Sequence, residues 1–377
     1  GKDVVTVMVY MCGTDLESRS SMATYDLQEM ASATLGSNVN LLVYTGGCRR
    51  WKNNVVSSST NQIYRIKNGS MELLKDNIGS KNMTDPETLA EFIRWSKGSY
   101  PADRYDLILW DHGGGSTSGY GYDEKVGSSS SMTLDKIGDA LKAGGCTFDF
   151  IGFDACLMAT LETALVLEPY ADYMIASEET EPGVGWYYTN WLTGLGKNTS
   201  ISTVELGKTI IDDFVSVCGQ KAAGSPTTLS LVDLAELDYV VPDRFREFAL
   251  STTELIQSGD YRTVSNARSR SKEFAASTKI DQVDLIDLAE RMGTEEGKEL
   301  ASALQSAVKY NLTSRSVNNA YGLSIYFPYG QMSGVNKMVN TYAKIGLDTS
   351  YTDCIKSFAS LEAGGQVAAG GSQGQMS

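Results

Sequence analysis

Residues 4–11 (VVTVMVYM) form an unbroken apolar run, the pattern of a strand covered on both faces. Helical periodicity follows over 16–35, and a second apolar strand over 39–44 (VNLLVY). Residues 54–76 read as short antiparallel strands turning at Asn68-Gly69. Asp85 is placed to cap a helix that has Pro86 in its first position and runs through Lys97. A strand over 105–111 (YDLILWD) leads into a Gly- and Ser-rich stretch, 113–131, expected to be a long mobile loop. The alternation then continues: helix 133–143, strand 148–153 (FDFIGF), helix 157–168, strand 173–176. Repeated strand–helix units imply an α/β fold, a mainly parallel sheet with helices on both faces. Beyond Glu178 the pattern turns helical, with one strand at 228–232 (TLSLV) and another at 322–327 (GLSIYF) expected to return to the sheet. With no linker between them, residues 1–234 are read as the core and 235–362 as a helical subdomain on the same sheet. Residues 363–377 are mostly Gly, Ala, Gln and Ser, as in a flexible tail.

Charge and residue counts narrow the chemistry. The 377 residues hold 32 Lys and Arg against 46 Asp and Glu, a net charge of −14, which argues against a nucleic-acid partner. No apolar run approaches the roughly 20 residues of a membrane span, so a soluble protein is expected. No charged-then-apolar leader precedes Gly1; any export signal is expected to have been removed or never to have existed. The chain has one histidine, His112, so a multi-histidine metal site is excluded and any imidazole chemistry falls to that residue. The six cysteines, at 12, 48, 146, 156, 218 and 354, contain no C-x-x-C pair and read mostly as buried free thiols.

Two segments share one construction, an apolar strand running out into a short polar string. One ends Trp110-Asp111-His112-Gly113-Gly114-Gly115 and the other Gly152-Phe153-Asp154-Ala155-Cys156. In an open parallel sheet ligands bind beyond the carboxyl ends of the strands, so His112 and Cys156 can meet across one crevice. A cysteine nucleophile needs a base to raise its thiolate fraction, because a free thiol has a pKa of about 8.5. The N–H groups of Gly113 and Cys156 are natural donors to a developing oxyanion. A helix beginning at Leu157 would add its dipole in favour of the thiolate. The bland alternative is a buried cysteine and a surface histidine, each unremarkable alone; their parallel settings favour a Cys–His site.

A hydrophobic block ending in His-Gly, followed by one ending in Ala-Cys, resembles the clan CD cysteine peptidases, which include caspases, legumains, gingipains and clostripain. The fuller strings, 110–115 and 152–159, with Ala176-Ser177-Glu178-Glu179, Glu181-Pro182-Gly183, Gly185-Trp186 and 322–328 (GLSIYFP), are similar to the clostripain family in particular. The resemblance implies a caspase-like three-layer α/β/α sandwich. It also implies peptide-bond hydrolysis by a dyad without an obligatory third residue, His112 as general base and acid and Cys156 as nucleophile. The family typically cuts after Arg, sometimes Lys, and Asp154 matches an acidic position of its S1 pocket. A second acidic position, inside the Pro-Gly-x-Gly-Trp loop, is Val184 here, which bears on the choice between Arg and Lys; Glu178, Glu179 and Glu181 are nearby substitutes. Otherwise Asp154 would simply cap the next helix. Members are often zymogens that cut themselves between the two signatures, where Lys125 is the basic residue available, giving a junction at Val126. By resemblance the protein is bacterial and secreted or at the cell surface, a monomer, acting on peptides or proteins with basic P1. No cofactor or metal is expected; calcium dependence occurs in some relatives, but no EF-hand motif is present.

Other readings are weaker. A His-Gly-Gly-Gly string also builds esterase oxyanion holes, but no predicted strand runs into a G-x-S-x-G elbow. Gly207-Lys208-Thr209 lacks the earlier glycine of a P-loop, Ser202 standing there. A catalytically silent binding protein on the same fold is the alternative from another class, and retention of both His112 and Cys156 speaks against it. A clan CD peptidase with another P1 preference is disfavoured by Asp154, since an acidic pocket repels an acidic side chain.

Overall fold

The computed structural model describes residues 2–127, 130–329 and 331–364. Strand β1 (Val5–Cys12) is buried at all eight positions. Val5, Val7, Val9 and Met11 enter one apolar cluster, and Met8, Tyr10 and Cys12 the other. A strand covered on both faces needs apolar side chains at every position, hence the missing alternation in its sequence. β2 (Val39–Gly46) lies parallel to it. β3 (Gln62–Lys67) and β4 (Ser70–Lys75) form the expected hairpin, closed by Asn68 and Gly69 with φ of 49° and 80°. On the other side of β1, strands β5 (Arg104–Trp110), β6 (Phe148–Asp154) and β7 (Ala171–Ala176) run parallel to it. β8 (Thr228–Asp233) adds antiparallel to β7. β9 (Glu273–Phe274) and β10 (Gln282–Asp284) pair with each other, β11 (Val308–Thr313) closes the main sheet beside β8, and β12 (Ser324–Tyr326) joins β10. The main sheet thus has nine strands in the order β11-β8-β7-β6-β5-β1-β2-β3-β4.

Helices cover both faces. Pro86–Ser99, Leu134–Gly144, Leu161–Leu167 and Leu234–Gln257 pack one side through Phe92, Ile137, Leu161 and Phe245 among others. The other side carries α2 (Met22–Ala31), Tyr188–Lys197 and Thr203–Lys221 through Leu27, Trp191 and Phe214. Asp85 caps the helix at Pro86, its carboxylate accepting the Glu87 N–H at 3.0 Å.

Four expectations are corrected. The 16–35 helix is two, α1 (Thr14–Ser20) and α2, broken where Ser21 takes a left-handed conformation at φ 58°. The 322–327 strand joins the small second sheet; β11 is the strand that returns, half-buried and polar enough (VKYNLT) to hide in a helical region. The helix expected from Leu157 begins only at Leu161. The 113–131 stretch is pinned where it is described, Tyr120 bonding Met132 through both backbone groups, with both side chains fully buried. Residues 128 and 129 of that stretch, and the tail beyond Gly364, lie outside the described residues.

Candidate active site

In the sheet order β6, β5 and β1 are neighbours, and Met11 lies level with Trp110, which lies level with Asp154. Three strand ends therefore open onto one cleft. Just past β5, the buried Asp111 carboxylate accepts the N–H groups of His112 at 2.6 Å and Tyr122 at 2.9 Å, folding the loop back on itself. Gly121 (φ 77°) permits this approach, since a Cβ there would lie 2.7 Å from Asp111 Oδ2. The imidazole of His112 stacks on the Tyr122 ring, centroids 5.2 Å apart and planes 16° from parallel. Its Nε2 lies 2.7 Å from Oδ1 of Asp15, the second residue of α1.

Beyond β6 the chain reaches Cys156 and then takes a left-handed turn at Leu157 (φ 67°), a strained conformation for a branched side chain. Leu157 and Ala159 donate their N–H groups to the carbonyls of Glu179 and Ser177. No helix begins behind Cys156, so a helix dipole does not activate it. Burial raises its thiol pKa, the carboxylates of Asp154 and Glu179 add to this, and the Glu181 N–H, 3.2 Å from Sγ, opposes it. The balance favours the thiol over the thiolate. The two signatures touch: a Cβ on Gly113 would fall 2.0 Å from the Cys156 carbonyl oxygen, so only glycine fits there. Among the described residues no hydrogen bond joins His112 to Cys156, and the N–H groups of Gly113 and Cys156 have no acceptor. Gln282 of β10 ties the two loops, its Nε2 donating to the Leu157 carbonyl at 2.9 Å and its Oε1 accepting the Ser116 N–H at 3.2 Å.

Below the cleft is a cavity of about 50 Å³ lined by His112, Cys156, Asp154, Asp26, Glu181 and the following loop. Asp154 accepts the Tyr188 hydroxyl at 2.7 Å and the Trp186 N–H at 3.3 Å, and pairs with the Glu181 carboxyl. Asp26 accepts the Trp110 indole N–H at 2.7 Å. Burial pushes the pKa of all three acids up, and their mutual repulsion pushes Asp26 and Glu181 further. Asp154 is not a helix cap, for Thr160 caps the next helix. Glu178 instead holds Gly322 N–H and Ser324 Oγ, at 2.7 and 2.6 Å, and Glu179 holds the Ala275 N–H at 3.2 Å. Of the three candidate glutamates only Glu181 lines the cavity, whereas Val184 lines a neighbouring groove of about 500 Å³.

Sequence reading did not identify Asp15, Asp26 or Gln282. Asp15 had a usable signal, because Cys12-Gly13-Thr14-Asp15 also follows an apolar strand. Asp26 and Gln282 had none, lying inside an ordinary helical pattern and a three-residue strand. Lys125 donates from Nζ to the Ser58 carbonyl at 2.6 Å, and Val126 is 56% exposed, in a turn where the Val126 and Gly127 N–H groups both bond the Asp123 carbonyl. All six cysteines are free thiols, with only Cys156 partly exposed. Among the described residues no three His, Cys, Asp or Glu side chains group as a metal site, and no helix is long and apolar enough to cross a membrane.

The chain has counterparts among known proteins. Clostripain of Hathewaya histolytica is 31% identical over 216 residues, a match covering 49% of this chain but only 40% of that protein. The structure of an inactive zymogen C11 protease from Parabacteroides distasonis has a TM-score of 0.68 over 94% of this chain and 99% of that one, at 22% identity. A secreted C11 cysteine protease from Bacteroides thetaiotaomicron, in complex with an irreversible peptide inhibitor, gives 0.63 over 91% and 99%, at 21% identity. At these identities the structural likeness speaks for the fold, a caspase-like α/β sandwich. Residues 9–370 match the model of the clostripain family, peptidase C11, and with nearly the whole chain covered, the protein belongs to the clostripain family of cysteine peptidases.

Proposed function

We propose that the protein is an exported endopeptidase that cleaves after Arg or Lys, with Cys156 as nucleophile and His112 as general base and acid. The observation that carries this reading is the contact of the Gly113 and Cys156 backbones at two neighbouring strand ends, directly above an acidic cavity. His112 takes the Sγ proton as sulfur attacks the scissile carbonyl, and the two free N–H groups receive the oxyanion. The imidazolium then gives its proton to the departing amine, leaving a thioacyl-enzyme. Water, deprotonated by His112, attacks that thioester and releases Cys156 as the thiol.

Asp154 with Glu181 and Asp26 supplies the negative charge that a P1 cation would meet. Lys221 offsets Asp26 only weakly, and among the described residues neither Asp154 nor Glu181 pairs with a cation; a buried carboxylate without one favours a ligand that brings it. The cavity has room for a few waters only, so a basic side chain enters only if the loop from Glu181 to Gly185 moves and the Glu181 N–H leaves Sγ. Autocleavage after Lys125 belongs to the same proposal. Exposure of Val126 supports it, and the turn must open for the bond to be cut. No step draws on a metal.

The test is a fluorogenic peptide panel with P1 set to Arg, Lys, Asn, Asp or Leu, run in reductant on wild type, Cys156→Ala and His112→Ala. Turnover of Arg or Lys peptides lost in both variants supports the proposal. Absence of Cys156-dependent turnover on any peptide, even after the loop is nicked at Lys125, sinks it in favour of a silent binding protein. Fragments meeting at Val126 in wild type but not in Cys156→Ala would support autocleavage; an intact chain in an active preparation would refute it.

A further inference from the structure

We propose that Asp15 is a third, positioning member of the site, holding His112 in the Nε2–H tautomer so that Nδ1 is left to take the Cys156 proton. This inference rests on the peptidase reading above. Asp15 Oδ1 lies 2.7 Å from His112 Nε2, and the residue arrives from the carboxyl end of β1, the strand next to β5. An ionised carboxylate can only accept, so the ring nitrogen facing it carries the proton and the other keeps its lone pair. The arrangement is built on both sides. The Thr14 hydroxyl donates to Asp15 Oδ1 at 2.7 Å, from a backbone turn at φ 45° that a β-branched residue adopts only under constraint. Tyr122 fixes the ring plane by stacking and also bonds Asp15.

α1 itself is anchored. Ser18 Oγ and the Arg49 N–H both donate to Glu124, at 2.7 and 2.8 Å. The buried Glu17 accepts the N–H and hydroxyl of Thr24, each at 2.7 Å. Partial burial pushes the Asp15 carboxyl upward, but hydrogen bonds from Thr14, His112 and Tyr122 outweigh it and bring its pKa down to about 2. Asp15 is therefore ionised near neutral pH. The other groups around the imidazole are Asp111, which holds its backbone N–H, and Cys156, Asp154, Asp26 and Glu181, which line the same cavity.

Because His112 is the chain's only histidine, its ring can be followed without assignment ambiguity. Full-length protein labelled with ¹⁵N-histidine would be titrated by NMR as wild type, Asp15→Asn and Asp15→Ala, alongside kcat and KM against pH for a basic-P1 peptide. The wild-type neutral ring is expected as the Nε2–H tautomer. Asp15→Asn is expected to lower the imidazole titration midpoint by about one pH unit, since a nearby opposite charge favours the imidazolium. The acid limb of kcat/KM should move down with it. Asp15→Ala should lower kcat by about 10- to 100-fold with KM nearly unchanged, and Asp15→Asn should recover part of that loss, its amide oxygen still accepting from Nε2. An unchanged midpoint and tautomer in Asp15→Asn would overturn the proposal, as would wild-type kcat in Asp15→Ala. If wild type turns over no peptide, the peptidase reading fails, while the titration still decides whether Asp15 holds the ring.

Discussion

One cleft holds two kinds of carboxylate, separated only by the imidazole and the thiol. Asp15 faces an imidazole and two hydroxyls, remains 28% exposed, and has its pKa brought down to about 2. Asp154, Glu181 and Asp26 face one another, with Lys221 opposing only the shift of Asp26 and only weakly, and burial pushes all three up. The difference lies in the partner. Asp15 already has its charge answered within the chain, so it can orient. The cavity acids repel one another, which together with burial favours their protonated forms, and under the proposed function a basic P1 side chain would supply the cation they lack. The contrast extends to stability. Asp15, with its lowered value, contributes stability that is present above about pH 3.8 and is lost as pH falls through about 2. The cavity acids, with raised values, stabilise the fold least at high pH.

The largest expected effect comes from removing the central cavity acid. Asp154→Asn should lower kcat/KM for Arg and Lys peptides by about 10²- to 10³-fold, the range for deleting one partner of a buried charge pair. Alkylation of Cys156 by a small neutral iodoacetamide should continue at or somewhat above its wild-type rate, because the base is untouched and a carboxylate that raises the thiol pKa has gone. Thermal stability should not fall, since a repelling charge has gone. Equal loss on basic and leucine P1 peptides would place Asp154 in the machinery of bond cleavage and dissolve the contrast with Asp15.

What could be read from the sequence follows this division. The strands β1, β2, β5 and β6 were legible because burial on both faces makes each one a continuous apolar run, and His112 and Cys156 were legible because each follows such a run. The acid cavity was only partly legible. Asp154 stands beside the nucleophile, but Asp26 is a helical residue whose importance depends on α2 being laid under the cleft. Glu181 differs from Glu178 and Glu179 only in where a loop aims it, which no local pattern states. The helix misplaced at Leu157 shows the same limit, since a left-handed residue held by Gln282 from 125 positions away overrode a good helical periodicity.

Gln282 supplies the next test. Gln282→Ala would leave the buried Leu157 carbonyl and Ser116 N–H unpaired, at a cost of about 1–3 kcal/mol readable by urea unfolding. Turnover should fall by a similar factor for every P1 residue, because the two loops loosen together. A fall confined to basic peptides would instead tie β10 to the acid cavity. Glu181→Gln should act more gently and selectively. Under the proposed function a P1 cation displaces a proton from the Asp154–Glu181 pair, so KM for Arg peptides should fall as pH rises, by up to about tenfold per pH unit. The variant has no such proton on residue 181, so its KM should be flatter, while the histidine limb in kcat stays in place. A wild-type KM independent of pH would mean that the pair is already ionised in the resting protein.

The smallest effect is expected at Glu29, at the margin between the two environments. Its Oε1 accepts the Tyr188 N–H at 3.1 Å, and the residue borders the larger groove beside Val184 and Lys221. Burial raises its pKa to about 7; the Tyr188 N–H and Lys221 oppose this and Asp154 adds to it. A carboxyl raised in the folded state favours folding while it is protonated, and that advantage is lost as pH rises from about 4.5 through about 7. A glutamine keeps the acceptor for Tyr188 and never ionises. Glu29→Gln should therefore match wild-type Tm at pH 4.5 and exceed it by about 2 °C at pH 8, a modest gain because the residue is partly solvated. A gain equal at both pH values would come from packing rather than charge, and would confine the unanswered acidity of the cleft to Asp26, Asp154 and Glu181.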